Sequence, residues 1–115
     1  MNATRKSRRN PAYAELARAA GAAHEIRLVA LRELESRFSL AMAEIESRSR
    51  AALEQFPVAA RTERAAVHMA FAPEFCALRK AASSERDAII ARYARAYAEA
   101  DAAYEVALAQ LENVA

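Results

Sequence analysis

Residues 28–56 read LVALRELESRFSLAMAEIESRSRAALEQF, and this stretch decides the fold class. At 100° per residue, Leu28, Leu31, Leu34, Phe38, Met42, Ile45, Leu53 and Phe56 fall in one stripe about 120° wide, the mark of an amphipathic helix. Their mean spacing is close to ~3.5 residues, a coiled-coil-like seam sustained over about four heptads. Val29 and Leu40 share a second, thinner face almost opposite the first. A helix with two apolar faces calls for two neighbours.

Upstream of this stretch, Asn10-Pro11 is a helix start, with asparagine as N-cap and proline at the first helical position. A first segment, about 11–20, either ends at Gly21 as a C-terminal cap or runs through it into a helix of about 22–56. Downstream, Pro57 breaks the chain and a short connecting helix is expected at about 58–71. Ala72-Pro73 is a second break, and the last helix covers about 74–113. Its seam consists of Ile90, Tyr93, Tyr97, Tyr104, Leu108 and Leu111. Followed backwards, that stripe meets Arg79 and Arg86, so the register fails between Phe75 and Ile90. Ser84-Glu85-Arg86-Asp87 fits a capping box, and a kink or interruption is expected near Ser83.

Composition agrees with helix throughout. Alanine fills 33 of 115 positions, and there are one glycine, three prolines and no tryptophan. A β-sandwich or barrel needs turn residues about every ten positions, and this chain has almost none. Gly21 stands alone, which excludes the glycine-rich turn of a Rossmann or P-loop site. One cysteine, Cys76, excludes an internal disulfide framework. The expected fold is all-α: an elongated antiparallel helical hairpin of two long helices and a short connecting helix, completing a bundle by dimerisation. Residues 10–115 form one helical domain behind a disordered basic arm at 1–9. No apolar run approaches the ~20 residues of a membrane span, and no secretory signal is evident, so a cytoplasmic protein without membrane association is expected. Arginine outnumbers lysine 15 to 2, a bias of GC-rich bacterial coding.

Candidate chemistry is sparse. His24, His68 and Cys76 are the soft metal-ligand types, but their spacing fits no zinc pattern, and no E-x-x-H motif occurs. Serines 36, 39, 47 and 49 lie inside a helix, where their hydroxyls bond carbonyls or water. Glu44 with Arg48, and Glu46 with Arg50, are expected as solvated i,i+4 pairs. No catalytic residue, cofactor site or metal site is assigned. Tyr93, Tyr97 and Tyr104, near Arg92 and Arg95, are seam tyrosines rather than a platform for stacking bases.

Residues 16–26, LARAAGAAHEI, resemble the first half of a bacterial helix-turn-helix, with alanine and glycine four apart at the turn. The resemblance covers about a tenth of the chain and departs from the pattern after the turn, where Arg27 stands in place of a buried aliphatic.

The arm holds Arg5, Lys6, Arg8 and Arg9, four cations that can neutralise phosphates without reading sequence. From residue 96 onward the chain is purely acidic in its charged side chains. The functional expectation is a non-enzymatic helical interaction protein: an adaptor, inhibitor or accessory factor that binds a larger macromolecule, with a protein partner and a homodimeric state. Val29, Leu40, Ile45, Phe56, Tyr93, Tyr97 and Tyr104 are the candidate interface residues. The alternative is a nucleic-acid-binding accessory protein that uses the basic arm, with the hairpin for dimerisation.

Overall fold

A computed structural model describes residues 11–114. Two helices account for nearly all of them: α1, Pro11–Glu54, with 44 residues, and α2, Arg61–Val114, with 54. Among the described residues there is no strand. Alanine, arginine, glutamate and leucine dominate both segments, and all four are strong helix formers. The expected all-α helical hairpin is what forms.

The breaks expected at Pro73 and near Ser83 do not occur, and of the two alternatives at Gly21 the continuous helix is the one that forms. α1 passes through Gly21 without a turn, and no glycine adopts positive φ, so the helix-turn-helix resemblance has no structural counterpart. The expected connecting helix at 58–71 is instead the first part of α2, which starts at Arg61 and continues through both Pro73 and Ser83. Proline in a helix interior removes one hydrogen bond, to the carbonyl four residues back. Pro73 and Met69 both lie on the exposed side of α2, away from the packed seam. Flanking helix formers then carry the helix across. The serines at 83–84 likewise stay helical, and their capping-box pattern goes unused. The expected N-cap, Asn10, lies outside the described residues.

Pro57 does end α1, because the residue before a proline is pushed out of helical geometry. The turn that follows is short, with the Ala60 amide donating to the Pro57 carbonyl at 2.9 Å. α1 carries no basic residue in its last turn to complement its carbonyls. Arg64 supplies that from α2, its Nη1 donating to the carbonyls of Leu53 at 2.9 Å and Phe56 at 3.0 Å. One guanidinium therefore ties the end of one helix to the start of the next.

The described residues group into two packing units. In residues 31–87, the second half of α1 turns back onto the first half of α2. Leu34 and Ile45 are buried there, flanked by half-buried Leu31, Phe38, Met42, Leu53, Val67, Phe71, Phe75 and Leu78. Ser49 is buried at the seam position between Ile45 and Leu53. In the other unit, residues 11–30 pack against 88–114 around Ala12, Leu16, Tyr104 and Leu108, with Tyr13, Ala100 and Ala107 beside them.

The seam expected from Leu28 to Phe56 is buried or half-buried at every named position, while the one expected on α2 needs correction. On α1 the inward positions extend upstream of Leu28 through Ala12 and Leu16 in steps of four, four and three, lengthening the mean step to about 3.7 residues. On α2 the buried isoleucine is Ile89, at 9% exposure, whereas Ile90 is 43% exposed. Tyr97 and Leu111 also lie outside the core. Tyr104 and Leu108 of the expected stripe are buried and Tyr93 is half-buried, so the stripe holds in part.

Candidate interaction surface

The two flanks of the helix pair in residues 31–87 differ in chemistry. On one flank, Arg37 Nη2 donates to Glu85 Oε2 at 3.0 Å, and Arg48 Nη2 donates to Glu74 Oε1 at 2.8 Å. Arg37 and Arg48 are eleven apart, as are Glu74 and Glu85, so each pair of like residues shares a helix face. Arg48 also lies 5.8 Å from the centre of the Phe71 ring. Its hydrogen bond to Glu74 raises the guanidinium above its ordinary value, and the charges of Glu74 and Glu44 add to that. The expected i,i+4 pairs give way to this cross-helix arrangement, because α2 brings a carboxylate within reach of Arg48. Such exposed pairs contribute roughly 0–1 kcal/mol each, so they fix alignment more than stability.

The opposite flank is open. Glu35 and Glu46, two residues before Arg37 and Arg48, stand about 200° round α1 from them. They border the groove between the helices, facing Arg79 and Arg86 of α2. Among the described residues, no hydrogen bond or ion pair engages these four side chains. Two adjoining cavities of about 540 and 320 Å³ occupy the groove, and both reach Arg79. Leu31, Leu34 and Phe38 face Ala82 and Ser83 in the first; Met42 and Ser49 face Phe71 and Phe75 in the second. The apolar register does fail near Ser83, as the sequence implies. It leaves a cavity in place of a break.

In residues 11–30 with 88–114, Tyr93 is half-buried beneath Arg27, whose guanidinium carbon lies 4.1 Å from the ring centre. Arg27 Nη2 donates to His24 Nδ1 at 2.6 Å, and the His24 ring meets Tyr93 edge-on at 6.2 Å. A cation over an aromatic face is worth about 0.5–2 kcal/mol, depending on its desolvation. Tyr97 tilts against Tyr93 at 6.5 Å. Arg18 pairs with Glu15 on the exposed surface of α1.

The candidate interface residues scatter between core and surface. Ile45 and Tyr104, the latter 3% exposed, belong to the chain's own packing. Phe56 and Tyr93 are half-buried. Val29 at 48%, Leu40 at 73% and Tyr97 at 40% stand exposed. The arm residues Arg5, Lys6, Arg8 and Arg9 lie outside the described residues. His68 and Cys76 border the same cavity, a consequence of the helix running through Pro73. Among the described residues, no group of three or more histidine, cysteine, aspartate or glutamate side chains has the arrangement to hold a metal ion. No helix among them is long and apolar enough to cross a membrane.

No protein-family model matches this chain, and neither a curated protein nor a solved structure does. The functional argument therefore rests on the chain's own geometry. Sequence reasoning missed Arg64, Arg37 and Glu85, whose roles depend on which helix turns face each other. The eleven-residue spacing shared by Arg37/Arg48 and Glu74/Glu85 was the available signal.

Proposed function

We propose that this chain is a non-enzymatic helical interaction protein, an adaptor, inhibitor or accessory factor that docks on a larger macromolecule and works as a homodimer. The observation that carries the reading is an unfinished core. Among the described residues no large side chain is fully buried, while Leu40, Val58 and Met69 are more than 70% exposed. Scattered exposed apolar residues are ordinary on a globular surface. Here they accompany an open apolar groove, and that combination supports the interaction reading.

The alternative, a nucleic-acid accessory protein, draws support from the run Arg5-Lys6-Ser7-Arg8-Arg9, which concentrates charge without aromatic or base-reading side chains. Photo-crosslinking separates the two. A benzophenone side chain at Leu40 or Val58 of the full chain, activated in the native host, is expected to give a discrete protein adduct. Adducts to nucleic acid alone would favour the alternative, and no adduct at either site would defeat the interaction reading.

A further inference from the structure

The open flank of residues 31–87 carries two adjoining cavities and four charged side chains that form no hydrogen bond or ion pair among the described residues, and it complements itself. We infer that a second copy of this chain covers it, with the two-fold axis running along the helices. This rests on the homodimeric reading above and names the face that makes the dimer.

The argument is geometric. The α1 side of the groove is acidic, at Glu35 and Glu46, and the α2 side is basic, at Arg79 and Arg86. A two-fold axis parallel to the helices lays α1 of one copy antiparallel over α2 of the other, and keeps every residue at its own level along the axis. The pairs Arg37–Glu85 and Arg48–Glu74 fix the register of the two helices, which puts Glu35 level with Arg86 and Glu46 within about one turn of Arg79. The rotation therefore brings Glu35 of each copy to Arg86 of its partner, and Glu46 toward Arg79, with both contacts made twice. An axis perpendicular to the helices would set α1 against α1 and acid against acid. Only the parallel axis matches charge throughout.

The apolar groove fits the same partner. Leu31, Phe38 and Met42 from one copy meet Phe75 and Ala82 from the other, and four helices then enclose what two leave open. The size is adequate. Residues 31–54 span about 36 Å at 1.5 Å rise, and two helices side by side present about 20 Å of width. That footprint is about 700 Å² per copy, or about 1,400 Å² for the pair, within the range of stable interfaces. The other flank, already closed by Arg37–Glu85 and Arg48–Glu74, offers no comparable unpaired charge.

Charge reversal on the full chain tests this, with size-exclusion light scattering across a concentration series as the readout. Arg79→Glu with Arg86→Glu is expected to weaken the dimer at least tenfold, as is Glu35→Arg with Glu46→Arg. An equimolar mixture of the two variants should restore pairing as a heterodimer, because the all-acidic groove of one then meets the all-basic groove of the other at both junctions. The quadruple variant carrying both swaps should restore the dimer. None of the four residues makes an ion pair among the described residues, so circular dichroism should be unchanged. Exposed Cys76 borders the groove and gives a second readout: its reaction with a bulky disulfide reagent should slow as concentration rises through the dimer range. A dimer indifferent to the swaps, or a thiol rate independent of concentration, overturns this face. A monomer that still crosslinks to a host protein overturns self-pairing and leaves the interaction reading standing.

Discussion

Replacing Gly21 with alanine should stabilise the chain, and the size of the gain can be worked from local structure. Gly21 lies inside α1 without positive φ, and a methyl group built there meets nothing within 4 Å. Neither strain nor crowding opposes the substitution, so the full helix-propensity difference of about 0.8–1.0 kcal/mol applies. Much of that reflects the greater backbone freedom that glycine loses on folding. For 115 residues the unfolding entropy is about 240 cal/mol/K, so the midpoint should rise about 4 °C if the chain melts as one. If the unit holding Gly21 melts by itself, the rise approaches about 8 °C. Thermal unfolding followed at 222 nm, with urea unfolding for the free energy, measures both. A loss of stability would mean that the glycine conformation is needed for a turn, and would revive the helix-turn-helix resemblance that a continuous α1 excludes.

Pro73→Ala should also stabilise, by about 1–3 kcal/mol, since it restores the amide that α2 lacks at an exposed position; an unchanged urea midpoint would mean that the site has no helical bond to regain. Ile45→Asp places a charge at a buried seam position and should lose most helical signal at 25 °C; retention of the wild-type melting curve would contradict that burial. Arg64→Ala removes donors to two carbonyls and should cost about 1–3 kcal/mol, checked by urea unfolding, whereas Arg61→Ala should stay near zero. If the basic arm binds duplex DNA, a log–log salt slope of about −3 to −4 per chain should vanish on deletion of residues 1–9; no binding at low salt removes the nucleic-acid alternative.

The helices were legible because their signal is local and redundant. The Leu28–Phe56 stripe repeats its message at every turn, so its inward face emerges even with Ser49 at one position. Breaks were harder to read. Proline and serine pairs alter local preference by a few kcal/mol at most, and packing along α2 overrides that at Pro73 and Ser83. Ile89 and Ile90 are adjacent, and only the facing helix decides which one is buried. The closed flank was out of reach for the same reason. Arg37 and Glu85 are 48 residues apart, and their pairing follows from how the turn at 55–60 aligns the two helices. The open flank is legible only by contrast with the closed one, because Glu35 and Arg79 look like ordinary surface charges until the opposite side is seen to be paired.

Sedimentation equilibrium of the unmodified full chain at micromolar concentration tests the central claim most directly. A homodimer gives about 25 kDa from a 12.6 kDa chain, with dissociation only on dilution. A mass of 12.6 kDa at every concentration would contradict the account: the open groove would then be the resting surface of a monomer.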